Sequence, residues 1–397
     1  MKKTVHYLFV SLLASLIISC SSEEKVEQTE ELTFEWEFVD SLDFEYLGNP
    51  ILADIHMVGD KAVFYDFASS NILITDLEGN LVSEFNKTED TPDSYGFMMN
   101  LPGFFDQNQI SVMGMAGIFL YDLEGNMITR IKHPESIGGA AFMALAGKSM
   151  EKINLGGKDY ILSKSVRGRE TFPGEPRFYD LYRTLELIDI ESGESAEMIP
   201  FEEGSLFKNG LGYWESDYMP AFEAKDEKIY IAMGGEGVLR VYDMENGRAV
   251  LDTAIQLTIP NFQPIEGNDL SSFQEGSITI EGGVASIRNI HIVEDKLVLP
   301  YYAGMEAQKS QELEELWMSG AEEEAELAYA EAEREIPKGA LIFDLETLAY
   351  LGRLDMPVKA PSPAFASSGN FLWMEKPASE EVEEDFVRIY QVKLVQK

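Results

Sequence analysis

The sequence predicts an all-β fold, a six-bladed β-propeller that is closed by an N-terminal strand and carries a helical insertion in blade five. A repeated phrase is the first reason, because residues 72–80 and 118–126 are alternating apolar strands that both end in Asp-Leu-Glu-Gly-Asn. The spacing from Asp76 to Asp122 is the second, since it is typical of a four-stranded blade of about 40–50 residues. Looser copies centre on Asp189, Asp243, Asp344 and Gln391.

Strand positions within the blades follow from period-two alternation between Gly, Asn and Asp turns. In blade one, strands are expected at residues 51–57, 61–67, 71–76 and 81–86. Blades two to five are expected at residues 101–132, 150–201, 218–257 and 286–356.

Blade six is one strand short, and this is the third reason for predicting a closed ring. Residues 362–366, 370–375 and 386–395 supply three strands, whereas residues 32–39 alternate cleanly and belong to no other blade. We expect the N-terminal strand to complete blade six, because a closed ring leaves no unpaired sheet edge. An open sandwich with a loose N-terminal arm is the alternative.

The N-terminus predicts export and lipidation. Residues 1–19 are interpreted as a signal peptide, in which two lysines precede a mostly apolar run over residues 5–18. That run is too short to span a bilayer comfortably, since about 20 apolar residues are needed. The small residue Ser19 precedes Cys20, the only cysteine, and this arrangement resembles the lipobox of bacterial lipoproteins, whose new N-terminal cysteine carries lipid. An ordinary signal peptide with an incidental cysteine is the alternative.

Lipid on Cys20 would anchor the protein to a membrane without a transmembrane helix. Residues 20–30 are polar and acidic and are predicted to form a flexible tether. Residues 21–24, Ser-Ser-Glu-Glu, resemble the acidic signal that sends some Bacteroidota lipoproteins to the outer face of the outer membrane, although a plain solvated linker is the alternative. The expected location is therefore the cell envelope, as an outer-membrane lipoprotein.

These features together resemble a known group. The Tyr/Thr-Asp-Leu-Glu-Gly-Asn repeats and the strand count are similar to the six-bladed β-propellers of the TolB-like group. With the lipobox, the chain resembles Bacteroidota lipoproteins that carry such a propeller and mostly lack an assigned function. The resemblance covers residues 31–397 and implies architecture far more than activity, because propellers host many unrelated functions.

Charge and composition exclude several classes of function. The chain has 31 Lys and Arg residues against 70 Asp and Glu residues, and its net charge of −39 argues against a nucleic-acid partner. A single cysteine at the cleavage site leaves none for disulfides, zinc or nucleophilic catalysis in the mature chain. Motifs for phosphate binding, zinc proteases and serine hydrolases are absent from the sequence. A non-enzymatic binding role is therefore the first hypothesis.

Loop lengths predict which face of the ring binds a ligand. The turns within each hairpin on one face are tight, and nearly all excess sequence falls in loops of the opposite face. Long loops on a rigid scaffold usually carry binding function, so we expect a protein or glycan ligand there. These long loops are residues 87–99, 133–149, 167–181, 202–217, 258–285 and 303–337.

The helical insertion spans residues 305–335 and is rich in Glu and Ala. Its pattern predicts one or two helices, broken near Ser319 and Gly320 and ended by Pro337, that fold over the ring as a lid. The Glu-rich side could meet a cationic partner, or it could be only a solvated helix face.

A local reversal of charge marks a second candidate site. Four arginines lie between residues 167 and 183, among Phe172, Phe178 and Tyr182. Arginine suits carboxylate, sulfate or phosphate groups, and aromatic side chains suit sugar or apolar faces. Intramolecular pairing with Glu residues, for example those of the helical insertion, is the alternative. The candidate ligand-binding residues of this part of the chain are Arg167, Arg169, Arg177, Tyr179, Arg183 and Trp214.

The inner strands supply the third candidate site. Odd-numbered blades place Asp54, Glu151 and Asn289 at matching positions near the ring axis, with His56 and His291 as further candidates for ligand binding. Such oxygen ligands suit calcium or magnesium. The pattern resembles lactonase-like propellers, which hold a catalytic metal in this way, although no further motif of theirs is present. A metal-dependent hydrolase or lactonase, with an ion such as calcium at the central channel, is therefore the alternative to a binding module without a cofactor. Histidines that hydrogen-bond neighbouring backbone are the structural alternative.

Overall fold

Six antiparallel sheets follow one another around a ring in the computed structural model of the chain. The structure describes residues 31–135, 137, 148–277, 279–360, 366–377 and 384–397. In four of the sheets, sequential strands are also neighbours in space, as a meandering blade requires. The predicted signal peptide, Cys20 and the tether lie outside the described residues.

The strands match the predicted blades within a few residues. The first strand is β1 (Phe34–Glu45). Blade one contains β2 (Ile51–His56), β3 (Lys61–Asp66), β4 (Asn71–Asp76) and β5 (Leu81–Phe85), and blade two contains β6 (Met98–Asp106), β7 (Gln109–Gly114), β8 (Gly117–Asp122) and β9 (Met127–Ile131). Blade three contains β10 (Met150–Leu155), β11 (Lys158–Lys164), β12 (Arg183–Asp189) and β13 (Ser195–Pro200), and blade four contains β14 (Pro220–Lys225), β15 (Lys228–Met233), β16 (Val238–Glu245) and β17 (Arg248–Gln256).

Blades five and six complete the ring. Blade five contains β18 (Ser286–Ile287), β19 (His291–Val293), β20 (Lys296–Tyr302), β21 (Lys338–Asp344) and β22 (Tyr350–Asp355). In this blade both β18 and β19 pair with β20. Blade six contains β23 (Ala366–Ser368), β24 (Phe371–Glu375) and β25 (Phe386–Gln396), with β1 as its outermost strand. Short helices in the connections are Met57–Gly59, Pro176–Leu181, Leu206–Lys208, Glu215–Tyr218 and Leu270–Ser272.

The N-terminal strand closes the ring as predicted. β1 pairs antiparallel with β25 from the Phe34–Gln396 pair to the Glu45–Phe386 pair, with an irregularity between Phe38 and Asp40. The strand is longer than the predicted residues 32–39, because its inward side chains continue to Leu42 and Phe44, which are fully buried. The open-sandwich alternative is therefore wrong.

The repeated phrase has a simple structural reason. Asp76 accepts hydrogen bonds from the backbone and side-chain N–H groups of Asn80, at 2.8 and 2.9 Å. Gly79 between them has a φ of 89°, in the left-handed region that favours glycine. Asp122 and Asn126 form the same pair of hydrogen bonds in blade two. Each phrase is thus a hairpin turn that joins the third and fourth strands of a blade.

The hydrophobic core is divided among the contacts between neighbouring blades. One cluster between blades one and two contains Val63, Ile74 and Val112, all fully buried. Another, between blades three and four, is unusually aromatic. Because each blade packs only on its neighbours, a ring of this size does not need a single central core. The aromatic cluster contains Phe178, Tyr182, Phe201, Phe207, Tyr213 and Tyr218.

The helical insertion forms two helices, Ala307–Met318 and Glu322–Glu335, which confirms the predicted break. Gly320 lies between them with a φ of 83°. Leu313 and Ala332 bury their side chains against Tyr302 and its neighbours in blade five. The lid over the ring stays a prediction. Among the described residues, no helix has the length and apolar character that crossing a bilayer requires.

Candidate functional site

A lysine held between two glutamates lies at the inner strands of blades three and four. The Lys148 Nζ atom is 3.0 Å from Glu151 Oε2 on β10 and 2.5 Å from Glu223 Oε2 on β14. All three side chains are less than one-fifth exposed, at 19%, 14% and 12%. Because β10 and β14 are the first strands of blades three and four, this ion-pair cluster ties the two blades together.

The protonation states of this cluster follow from its charge balance. Burial alone would lower the pKa of Lys148, but Glu151 and Glu223 hold that pKa above its usual value. Burial raises the pKa of Glu151 to about 8, against the opposing effect of Lys148. Two carboxylates around one ammonium leave one excess negative charge, so one carboxyl group takes up a proton near neutral pH. The lysine therefore stays charged while Glu151 titrates.

Asp54 joins blade one to blade two. Its carboxylate accepts hydrogen bonds from the backbone N–H groups of Ile55 and Phe104, both at 2.8 Å. Burial raises its pKa to about 6 in spite of these bonds. A Cβ atom at Gly103 would make a tight contact of 3.3 Å with the carbonyl oxygen of Met150 and an ordinary contact of 3.5 Å with Asp54 Oδ2.

The other predicted axis residues also make hydrogen bonds within the fold. His56 Nδ1 accepts from the backbone N–H of Gly59 at 2.9 Å and so caps the turn after β2. His291 is buried, and its Nδ1 lies 2.9 Å from Ser367 Oγ in blade six. Burial lowers the pKa of His291 well below its usual value. Asn289 Oδ1 accepts from the N–H of Ile290, the residue that follows it, at 3.1 Å.

The predicted calcium ligands already have hydrogen-bond or ion-pair partners within the chain. The described part of the chain contains no group of three His, Cys, Asp or Glu side chains placed to hold a metal. The ammonium of Lys148 lies between Glu151 and Glu223, and two backbone N–H groups orient Asp54. Calcium binding by Asp54, Glu151 and Asn289 stays a prediction for measurement in solution. Sequence reasoning missed Lys148 and Glu223, which carry no motif.

Among the four arginines, Arg167 and Arg169 pair with carboxylates of their own blade. Arg167 Nε lies 2.9 Å from Glu186 Oε2 on β12. Arg169 Nε donates to Glu197 Oε1 on β13 at 2.6 Å. These two arginines thus pair with glutamates of the same chain, which was the alternative to an anion-binding site. The glutamates belong to blade three and not to the helical insertion. Arg167 and Arg169 therefore order the long loop that follows β11.

The other two arginines and Tyr179 also have internal partners. Arg177 is half-exposed and donates to Glu175 at 2.8 Å. Arg183 donates to the backbone carbonyl groups of Asp180 and Tyr182, at 2.9 and 2.7 Å. The Tyr179 hydroxyl donates to the carbonyl of Pro173 and accepts from the N–H of Tyr213. These contacts fix the loop around the helix Pro176–Leu181.

A cavity of about 330 Å³ opens between the long loops of blades three and four. Its lining comes mainly from residues within 165–182, 214–218 and 273–277, which belong largely to three of the loops predicted to form the binding face. Arg167 and Trp214, both predicted ligand-binding residues, line it, whereas Tyr218 and Phe273 were not predicted. Six lining residues define the site: Arg167, Phe172, Tyr182, Trp214, Tyr218 and Phe273.

Aromatic rings form the walls of this cavity. The rings of Trp214 and Phe273 are 4.2 Å apart, and those of Tyr182 and Tyr218 are 5.1 Å apart and nearly perpendicular. The Tyr182 hydroxyl is buried, and no partner within hydrogen-bond distance occurs among the described residues. Burial raises the pKa of both tyrosines, and the nearby carboxylate of Glu215 raises each further. The site thus combines apolar walls with a buried polar group.

Fold and site together define a six-bladed β-propeller with a cavity on its long-loop face. No family model matches the sequence. No curated protein matches it either. Solved structures that share the fold include a member of the DUF4221 family from Bacteroides vulgatus, with a TM-score of 0.64 at 12% identity, covering 93% of this chain and 100% of that one.

Two further structures are more distant. A putative exported protein from Bacteroides fragilis has a TM-score of 0.48 at 10% identity, over 94% of this chain and 97% of that one. An aldose sugar dehydrogenase from Streptomyces coelicolor, bound to PQQ, has a TM-score of 0.46 at 10% identity, over 92% and 99%. Of these likenesses we use only the one to the DUF4221 member, and at 12% identity it supports the propeller fold alone.

Proposed function

We propose that this chain is a lipid-anchored β-propeller of the cell envelope that binds a ligand or partner protein through its long-loop face. One observation carries the proposal, namely the cavity of about 330 Å³ between the loops of blades three and four. Its volume lies within the range of about 300–1,000 Å³ that is usual for small-molecule sites. Its lining of aromatic side chains with a few polar groups is also usual for such sites.

The scaffold supports a binding role for this face. Arg167 and Arg169 are held by ion pairs to β12 and β13, so the loop that forms one wall of the cavity is fixed to blade three. Trp214 on another wall packs against Phe273, which lies in the connection to blade five. Side chains that are already ordered lose less entropy when a ligand binds, so a preformed site binds more tightly.

The proposed lipid anchor and cellular location rest on the N-terminal sequence. The apolar run over residues 5–18 and the Ser19-Cys20 junction support export and lipidation at Cys20, followed by a tether over residues 20–30. We propose the outer membrane as the location, with the propeller at its outer face. Metabolic labelling with a clickable fatty acid tests the anchor: the wild type should be labelled and enter a detergent phase, and Cys20→Ser should do neither. Labelling of the Cys20→Ser protein would contradict lipidation at this residue.

A ligand screen with matched tryptophan variants tests the binding face. We expect a ligand from fractionated envelope extract or a glycan library to raise the melting temperature of the wild type. Trp214→Ala should abolish that shift because it removes a cavity wall. Trp317→Ala, which changes a half-exposed residue of the helical insertion, should keep it. Ligands whose effect survives Trp214→Ala would place the binding site elsewhere and overturn the proposal.

A further inference from the structure

We propose that the helical insertion is a docking surface for a basic amphipathic helix of a partner protein. Its two helices, Ala307–Met318 and Glu322–Glu335, border a groove of about 390 Å³, here called the hairpin groove. This groove shares no described lining residue with the cavity between blades three and four, so the proposal goes beyond the binding function above and does not depend on it. The hairpin groove is lined mainly by Met305, Leu313, Glu314, Trp317, Ala325 and Tyr329.

The hairpin groove has a buried apolar base and exposed aromatic sides. Leu313 and Ala325 are 8% and 2% exposed, whereas Trp317 and Tyr329 are 50% and 40% exposed. Leu313 and Trp317 are four residues apart, so they lie on one face of the first helix. Exposed tryptophan and tyrosine side chains beside a buried base are typical of protein–protein interfaces, where these residue types provide much of the binding energy. The groove is therefore open to a partner.

The shape of the groove suits a helical partner. The two helices contain 12 and 14 residues, pack against each other and are joined by a short turn at residues 319–321. A third helix of about 12 to 15 residues can lie along such a pair. Amphipathic helices bind grooves of this kind by inserting apolar side chains at helical spacing. The base of the hairpin groove would receive that apolar face.

The charge around the groove decides which amphipathic helix fits. Residues 306–335 contain eleven Glu residues and two basic residues. Glu314 and Glu326 line the groove, are exposed and form no ion pair within the part of the chain that the structure describes. Burial raises the pKa of Glu281, and the nearby carboxylate of Glu314 raises it further. Lys or Arg residues beside the apolar face of a partner helix would pair with these carboxylates.

The same negative charge disfavours three other occupants. The predicted tether over residues 20–30 contains four Glu residues and one Lys, and a second copy of the chain carries the same net charge of −39. Either would bring like charges together, which weakens binding. A membrane surface with anionic lipids would be repelled in the same way. The groove and its charge thus favour a separate, basic protein.

Titration of the full-length protein with a synthetic probe helix tests the proposal. The probe is a peptide of about 15 Leu and Lys residues at amphipathic spacing, without tryptophan. We expect saturable binding in calorimetry and a blue shift of tryptophan fluorescence as Trp317 is covered. Exchanging Lys for Glu removes the charge match, and exchanging Leu for Ser removes the apolar face. Either exchange should weaken binding at least about tenfold.

Variants of the apolar side chains show whether the probe occupies the hairpin groove. Trp317→Ala should weaken binding about tenfold or more and abolish the blue shift. Leu327→Ala is the matched control, because Leu327 is 74% exposed on the second helix and lies outside the described lining. Trp317→Phe keeps a ring at the same position and should keep most of the affinity. A circular-dichroism melt shows whether each variant is folded before its titration is interpreted.

Variants of the glutamates separate local pairing from net charge. Glu314→Gln combined with Glu326→Gln should weaken binding of the basic probe about fivefold and reduce its dependence on salt. Glu78→Gln combined with Glu124→Gln removes two exposed charges from turns of blades one and two. This matched pair should change the affinity less than about twofold, because exposed charges far from the probe are screened by salt.

The possible outcomes are distinct. Equal affinity of the wild type and Trp317→Ala, or equal effects of the two glutamate pairs, would overturn the proposal, because the probe would then respond to net charge alone. No saturable binding of the basic probe would also overturn it. Binding of Trp317 to zwitterionic lipid vesicles in place of the probe would assign the surface to a membrane. Trp214→Ala should bind the probe like the wild type, so failure here leaves the cavity of blades three and four to its own test.

Discussion

Arg388 and Asp43 form two parallel hydrogen bonds, at 2.7 and 2.6 Å, that join the last strand of the ring to the first. The pair is part-exposed, at 33% and 44%, so solvent reduces its contribution to stability. Such two-bond geometry between arginine and a carboxylate is the favourable arrangement among surface ion pairs.

A double-mutant cycle measures this closure pair. For Asp43→Asn and Arg388→Gln we expect a coupling energy of about 0.5–1 kcal/mol from denaturant unfolding. The hydrogen bond from Arg388 holds the pKa of Asp43 below its usual value. A lowered pKa stabilises the folded state above the unfolded pKa, and this stability is lost as the pH falls below about 4. Zero coupling at neutral pH would contradict a stabilising role.

We expect the closure of the ring by β1 to depend more on its buried apolar side chains than on the Asp43–Arg388 ion pair. A substitution within β1 tests this. Phe44 is 1% exposed and packs on Phe64 of blade one, with ring centres 5.3 Å apart. Phe44→Ala should lower the free energy of unfolding by about 3–5 kcal/mol. Val39→Ala is the control, because Val39 is 46% exposed and should change stability by less than about 0.5 kcal/mol. Similar effects of the two variants would argue that β1 does not seal the ring.

In the ion-pair cluster of Lys148, Glu151 and Glu223, removing the lysine should strongly lower the free energy of unfolding, and further substitutions should recover part of it. Lys148→Met leaves two carboxylates buried without their cation and should cost about 3–5 kcal/mol in denaturant unfolding. Adding Glu151→Gln and Glu223→Gln to that variant should restore part of the loss. Lys359→Met, which changes an exposed lysine, is the control for removing a positive charge. No rescue by the added changes would show that the lysine contributes by packing rather than by charge.

Stability should fall as the pH rises towards 8. Burial raises the pKa of Asp54 to about 6, of Asp217 to about 7 and of Glu151 to about 8. Through these three groups the folded state holds more protons than the unfolded state between pH 5 and 8, which lowers the free energy of unfolding as the pH rises. His291, whose pKa is lowered, acts in the opposite direction below about pH 6.5, so three acidic groups oppose one histidine there. Asp54→Asn should reduce the loss of unfolding free energy around pH 6. Glu151→Gln should reduce the loss around pH 8. Unfolding curves at unit pH steps measure both, and rising stability over this window would contradict the assignment.

Calcium should not stabilise the wild-type protein. Because Lys148 already pairs with Glu151 and Glu223, we expect calcium and EDTA to shift the melting temperature by less than about 1 °C. Magnesium serves as the comparison ion in the same scan. A larger shift with calcium that disappears in Asp54→Asn would establish an ion site at the ring axis.

The sequence is a good guide to the fold because its main signals are local. The Asp76–Asn80 and Asp122–Asn126 turns depend on five consecutive residues, and alternation along a strand is visible without any partner. Ring closure was also predictable, because an unassigned strand at one end matched a missing strand at the other. The strand bounds differ by a few residues, most clearly in β1, because burial extends β1 further than its alternation shows.

The candidate sites were less predictable because they depend on distant pairs. Lys148 and Glu223 are 75 residues apart in sequence, and neither differs from an ordinary surface residue until two blades meet. The arginines at 167–183 suggested an anion site, yet Glu186 and Glu197 on β12 and β13 match the charges of Arg167 and Arg169. Tyr218 and Phe273 lie in connections to separate blades, so only the folded ring brings them to one cavity.

The pairing of β1 with β25 sets the order of events when this chain is made. Asp43 and Arg388 are 345 residues apart, so the contact cannot form until nearly the whole polypeptide has left the ribosome. Until then β1 lacks its partner strand β25, and contacts of such long sequence separation form slowly. We therefore expect a holdase to protect the nascent protein until β25 has been made.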